Sequence, residues 1–136
     1  ATLFGMPGIP CVYYGSEWGT KALKSDGDPA LRVSFEKPES NELTEWISKL
    51  AKAHKESKAL CHGGLLIRHL TNKQCIFERC CDDERVLVAI NADGCDYTAH
   101  FDANAGAAVD LITGDKHDFG GGSHLPPYSA RYWKIV

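Results

Sequence analysis

Two groups of acidic side chains lie close enough along the chain to be considered for acid–base chemistry. Asp26 and Asp28 flank Gly27, and residues 82–84 are all acidic. A general acid or base must be held within hydrogen-bond reach of the reacting group. Both sets of acidic residues instead have the composition of turns exposed to solvent. The run Asp26-Gly27-Asp28 also resembles the start of a calcium loop, but the later oxygen ligands are absent. We therefore predict no catalytic residue and no metal site within this chain.

Cysteine and histidine are frequent but show no ligand spacing. The six cysteines include no C-x-x-C pair, and the six histidines include no H-x-x-x-H pair. A chain of 136 residues buries enough apolar surface to fold without disulfides or a metal ion. We therefore expect reduced thiols, no cofactor and a cytoplasmic location.

Charge and hydropathy exclude two classes of partner. The net charge is −3, and the lysines and arginines are spread along the chain, which argues against binding nucleic acid or an acidic membrane surface. The most apolar stretch, residues 1–14, is interrupted by Pro7, Pro10 and two glycines. Such a stretch cannot form a continuous membrane helix.

The elements that would position the polar residues follow from two changes of pattern. The apolar run 11–14, bounded by Pro10 and Gly15, predicts a fully buried strand of the kind found in parallel sheets. Residues 40–60 carry apolar side chains at spacings of three and four, which predicts a helix that begins at Ser40 as N-cap and ends before Gly63.

From residue 64 onward the pattern predicts short antiparallel strands separated by turn residues. The predicted strands cover residues 65–70, 74–80, 85–91, 97–101, 108–113 and 128–136. Residues 86–90 are apolar on both faces, which indicates a central strand. The predicted fold class is therefore mostly β with one long helix, arranged as an antiparallel β-sandwich.

Five motifs in order resemble those of one enzyme family. The segment MPGIPCVYYGSEWG (6–19) resembles the GxPxxYYGxE motif around the eighth barrel strand of the α-amylase family of glycoside hydrolases. The segment DPALR (28–32) resembles the following loop in its cyclomaltodextrinase and neopullulanase branch. The runs VLVAIN (86–91), DLITG (110–114) and LPPYSA (125–130) resemble the C-terminal β domain of that family.

The resemblance implies a division of the chain and a role in α-glucan hydrolysis. Residues 1–62 would be the last strand, substrate loop and last helix of a (β/α)8 barrel, and residues 63–136 the C-terminal β-sandwich domain. The nucleophile and acid/base of the family lie on earlier strands, so the chain alone would be inactive. The β-sandwich would stabilise the barrel, and the loop 15–35 would contribute to binding starch or maltodextrin.

The resemblance also assigns substrate contacts, each beside a structural alternative. Asp28 and Arg32 would bracket sugar hydroxyls with charge-assisted hydrogen bonds, or they would form a local ion pair that orders the loop. Trp18 would stack on a sugar face, or it would anchor the loop by packing.

Two other roles remain open from the sequence. The β-sandwich would be a carbohydrate-binding or purely structural module without catalysis, with Tyr97, Tyr128 or Tyr132 as sugar contacts. The apolar N-terminal segment, separated from its barrel neighbours, would expose unpaired backbone groups and promote self-association.

Overall fold

The computed structural model describes all 136 residues and places its helices before its strands. The helices are α1 (Thr2–Gly5), α2 (Asp28–Leu31), α3 (Glu42–Glu56) and α4 (Lys58–His62), with 3₁₀ turns at Ser16–Trp18 and Lys24–Asp26. The strands are β1 (Gly64–Leu70), β2 (Gln74–Cys81), β3 (Glu84–Asn91), β4 (Tyr97–Ala99), β5 (Ala107–Asp110), β6 (Lys116–Asp118), β7 (Ser123–Leu125) and β8 (Ser129–Ile135). None of the helices is long and apolar enough to cross a membrane.

The strands form two antiparallel sheets, which confirms the predicted fold class. The larger sheet has six strands in the order β1-β2-β3-β8-β5-β6, and the smaller sheet pairs β4 with β7. The small sheet and the loops around it cover one face of the large sheet, and α1, α3 and α4 cover the other. The prediction missed β6 and β7 because each has only three residues and carries no apolar run.

Strand β3 lies in the middle of the large sheet, as its sequence predicts. Val86 and Val88 belong to the core on the helix side, whereas Leu87 and Ala89 belong to the core on the opposite side. All four side chains are fully buried, because successive residues of a strand point to opposite faces. A strand covered on both faces must be apolar at every position, which is the pattern that residues 86–90 show.

The predicted long helix is divided into α3 and α4 at Ser57. The Ser57 hydroxyl accepts a hydrogen bond from the Leu60 amide at 3.1 Å and so caps α4. The N-cap of α3 is Asn41, one residue after the predicted Ser40. The Asn41 side chain accepts a hydrogen bond from the Thr44 backbone amide, and the Thr44 hydroxyl accepts one from the Asn41 backbone amide. The apolar stripe faces the core as predicted, with Leu50 fully buried.

The predicted strand over residues 11–14 is not formed. These residues lie in no helix or strand, and Tyr13 and Tyr14 are exposed. A strand needs a neighbour for its backbone N–H and C=O groups, and none of the eight strands pairs with this segment. The apolar run therefore indicates a segment suited to burial, but this chain supplies no adjacent strand.

Instead, the chain holds its N-terminal turn through three side chains that bind its carbonyl groups. Tyr132 donates to the Ala1 oxygen at 2.7 Å, and His54 bonds to the Phe4 oxygen at 2.8 Å. The buried Arg79 donates to the Gly5 oxygen at 2.8 Å. We call these three side chains the N-terminal clamp.

The helix-side core joins the two parts into which the sequence was divided. It combines Phe4, Leu50 and Leu60 with Phe77 and Tyr132. Both parts contribute to this one packed core, and the division into a barrel remnant (1–62) and a β-sandwich domain (63–136) stays a prediction.

A buried carboxylate links the first three strands on the opposite face. Glu78 on β2 accepts from Arg68 Nε of β1 at 2.7 Å and from Arg85 Nε of β3 at 2.6 Å. Arg85 also donates to the backbone oxygens of Ala103 and Asn104. Burial opposes ionisation of Glu78, but the hydrogen bonds and charges of the two arginines outweigh it and lower the pKa of this carboxyl group.

Candidate functional site

The loop predicted to contact substrate is fixed at its beginning by the N-terminus of α3. Gly15 adopts a positive φ of 84° that a larger residue would adopt only under strain, and the turn Ser16–Trp18 follows it. The Asn41 side-chain amide donates to the Trp18 oxygen at 3.0 Å, and the Thr44 hydroxyl donates to the Glu17 oxygen at 2.9 Å. The helix cap thus also positions the start of the loop.

Trp18 packs within the loop. Its ring meets the edge of Phe35 with centroids 5.1 Å apart and an interplanar angle of 84°, a favourable aromatic geometry. The indole Nε1 is buried and has no hydrogen-bond partner, and the same holds for Oε2 of the neighbouring Glu17. These contacts agree with the alternative that Trp18 anchors the loop by packing. A role of Trp18 in sugar stacking stays a prediction.

Asp28 and Arg32 lie at the two ends of α2 and face each other. Asp28 Oδ2 and Arg32 Nη2 are 4.0 Å apart, and the side chains are 80% and 72% exposed. An exposed pair at this distance stabilises a loop by about 0–1 kcal/mol, and its charged groups remain open to a ligand. The structure therefore brings together two of the three predicted contact residues, and their contact with sugar stays a prediction.

Two exposed tyrosines extend the aromatic surface of this segment. Tyr13 and Tyr14 have ring centroids 4.7 Å apart, and Tyr14 meets Phe35 at 5.9 Å. Phe35 therefore connects them to Trp18. The apolar pattern of residues 11–14 predicts a buried strand and does not indicate this exposure, although paired tyrosines with polar tips are a recognisable signal for a contact surface.

The tyrosines considered for the β-sandwich differ in accessibility. Tyr132 is fully buried, and burial raises the pKa of its phenol, so its prediction as a sugar contact is wrong. Tyr97 bonds to His69 Nε2 at 2.8 Å and is half-buried. Tyr128 is 78% exposed and adopts a φ of 48° in the turn before β8. Among the three, Tyr128 offers the most accessible ring.

The acidic run 82–84 is not a uniform solvated turn. Asp82 and Asp83 form the turn between β2 and β3, whereas the half-buried Glu84 lies 3.3 Å from Lys134 Nζ. Burial opposes ionisation of Glu84, but hydrogen bonds from Ser57 and Lys134 outweigh it and lower its pKa. A carboxylate held in this way supports the sheet and is poorly suited to accept or donate a proton at neutral pH.

Sequence comparison relates this chain to cyclomaltodextrin glucanotransferases and to an α-amylase. It is 36% identical over 87 residues to a cyclomaltodextrin glucanotransferase of Bacillus licheniformis, a match that covers 62% of this chain and 11% of that protein. The chain spans about 11–16% of the length of the curated relatives it matches. No protein-family model matches the chain.

Structural comparison extends the similarity to nearly the whole chain. The cyclomaltodextrin glucanotransferase CldA is 27% identical with a TM-score of 0.82, over 99% of this chain and 31% of CldA. The α-amylase of Geobacillus thermoleovorans, solved in complex with acarbose, has a TM-score of 0.85 at 22% identity, over 98% of this chain and 31% of that chain. The second match shows the shared fold.

Proposed function

Because this chain is related in sequence and fold to the C-terminal part of α-amylase-family glycoside hydrolases, we propose that it acts as that part of an α-glucan hydrolase. The β-sandwich stabilises a (β/α)8 barrel, and the loop 15–35 contributes to binding starch or maltodextrin oligosaccharides. The match along 99% of the chain to the cyclomaltodextrin glucanotransferase CldA carries the proposal. The catalytic carboxylates are supplied by barrel strands outside these 136 residues.

The N-terminal clamp supports the stabilising role of the β-sandwich. Arg79 and Tyr132 belong to β2 and β8, and both donate to carbonyl groups of residues 1–5. Residues 6–10 connect this turn to the apolar run 11–14, which lacks strand neighbours in the chain alone. A sheet that fixes the start of this run reduces the conformational freedom of a barrel strand that continues from it.

The loop supports the binding role through its exposed polar and aromatic groups. Sugars are bound by charge-assisted hydrogen bonds to their hydroxyls and by aromatic faces against their rings. Asp28 and Arg32 supply the charged groups, and the half-buried Trp18 is the aromatic contact of the loop. Loops that follow the strand C-termini of such barrels form their active-site face.

Replacing Asp28 or Arg32 by alanine in the complete protein should raise KM for maltodextrin about tenfold, because each change removes hydrogen bonds between a charged group and the substrate. Steady-state kinetics on purified variants measures the effect. The KM of the double variant should be only slightly higher than that of either single variant, since the two side chains act as a pair.

Asp26→Ala is the matched control for this experiment, because Asp26 is an exposed acid of the same loop without an arginine partner. It should leave KM unchanged. If Asp28→Ala and Arg32→Ala lower the unfolding temperature but leave KM unchanged, the pair only orders the loop. Hydrolysis of maltodextrin by the isolated 136-residue chain would contradict the proposed function itself.

The isolated chain should self-associate through its apolar N-terminal segment, which the barrel would otherwise cover. Ile9 is 95% exposed, and Leu3 and Tyr13 are also exposed, so association removes apolar surface from water. Sedimentation velocity should show species larger than a monomer as concentration rises, and Ile9→Asp should shift them to monomer. Leu66→Asp, an exposed leucine on β1, is the control. A monomer at every concentration would disprove the association.

A further inference from the structure

A small polar cleft lies on the β-sandwich, outside the loop 15–35. Asp110 at the end of β5, Lys116 at the start of β6 and Arg131 of β8 line it, together with Asp115 and His124. Its volume is about 140 Å³. The proposed substrate contacts include none of these residues.

The walls of the cleft are fixed by the sheet. The Asp110 carboxylate is buried and accepts from the backbone amides of Ile112 at 3.0 Å and Tyr132 at 3.2 Å. Its second oxygen lies 3.3 Å from Arg131 Nη1, which orients the guanidinium. His117 stacks on Trp133 with centroids 4.1 Å apart and an interplanar angle of 5°. These groups are therefore in place before any ligand arrives.

The charges around the cleft balance. Lys116 and Arg131 are cationic, and Asp110 and Asp115 are anionic. Burial lowers the pKa of His117, so its imidazole adds no charge at neutral pH. An anion in the cleft would be repelled by the two carboxylates, and a cation would be repelled by the two basic groups. A hydroxyl group both donates and accepts hydrogen bonds, so it can bond to a donor and an acceptor that lie at close range. This balance favours a neutral polyhydroxy ligand.

We propose that the cleft binds one neutral pyranose ring, as a glucose unit of an α-glucan chain, with Lys116 and Arg131 donating to its hydroxyls and Asp115 accepting from them. The volume is well below the roughly 300–1,000 Å³ of sites for drug-sized ligands, so it admits a single ring. The balanced charges of the cleft indicate a neutral sugar, and the choice of an α-glucan rests on the proposed function.

Titration of the 136-residue chain with maltose, followed by amide chemical shifts, tests the proposal. Shifts should appear at residues 110–117 and 131–133. Lys116→Met should weaken binding about fivefold or more, because it removes a charged donor. Lys116 is exposed and belongs to none of the seven ion pairs, so the unfolding temperature should not change. Lys55→Met, at an exposed lysine of α3, should bind as the unmodified chain does.

Three results would overturn the proposal: no shifts at these residues with maltose, equal affinity of Lys116→Met, or shifts with inorganic phosphate and none with maltose. Because the experiment uses the isolated chain, its outcome is separate from the kinetics of Asp28 and Arg32 variants in the complete protein. A negative titration would leave the loop assignment intact, and unchanged KM values in those variants would leave the cleft assignment intact.

Discussion

Arg79→Met is expected to lower the free energy of unfolding by about 2–4 kcal/mol, because two buried carbonyl oxygens and one partly buried carbonyl oxygen lose a charged donor. Arg79 donates to Gly5 at 2.8 Å, to Gly63 at 2.8 Å and to Gly64 at 3.2 Å, and it faces no carboxylate. Methionine fills part of the same volume but supplies no donor. Because methionine is neutral, the variant no longer has the desolvation cost of a buried charge, and this gain offsets part of the lost stability.

The location of the effect distinguishes the clamp from general destabilisation. Hydrogen exchange of the amides of residues 4–6, which bond within the N-terminal turn, should accelerate more than exchange in β3. Arg79→Lys, which keeps the charge but loses the planar fork, should give an intermediate result. Arg32→Met, at an exposed arginine, is the matched control and should change neither quantity. Unchanged exchange at residues 4–6 in Arg79→Met would show that Arg79 does not hold the turn.

The fold could be predicted from the sequence wherever a local hydrophobic pattern is compatible with only one kind of burial. The continuous apolar run of β3 and the apolar stripe of α3 were both identified, because each reports burial directly. The segment 11–14 carries an equally strong signal but forms no strand, since strand formation depends on neighbours that the chain does not contain. The break at Ser57 was also missed, because a serine within a helical pattern becomes a cap only when the chain changes direction there.

The candidate site was less predictable because its elements combine distant positions. Asp28 and Arg32 were predicted together because the segment DPALR resembles a family motif, and the structure places their charged groups 4.0 Å apart. The clamp was not, because Arg79 and Gly5 are 74 positions apart in the sequence. The cleft around Asp110 was also missed: its charged residues come from three strands and the loop before β6, and β6 was not predicted.

Glu78→Gln is expected to lower the free energy of unfolding at pH 7 by about 2–3 kcal/mol, because Arg68 and Arg85 lose their shared buried carboxylate but remain partly exposed to water. The pKa of Glu78 is lowered in the folded chain. Its ionised form therefore contributes stability that is fully present above its unfolded pKa of about 4.3 and is lost as pH falls through the folded pKa.

The difference in unfolding free energy between the unmodified chain and Glu78→Gln should consequently be constant from pH 7 to about pH 5 and shrink below about pH 4.3. Urea denaturation at a series of pH values measures it. Asp93→Asn is the control. The pKa of Asp93 is also lowered, first by its hydrogen bond with Lys73, but Lys73 is exposed and Asp93 is half-buried, so water screens the pair and its removal should have little effect. A difference that stays constant down to pH 3 would mean that Glu78 stabilises the sheet through hydrogen bonds that glutamine cannot replace, independently of its charge.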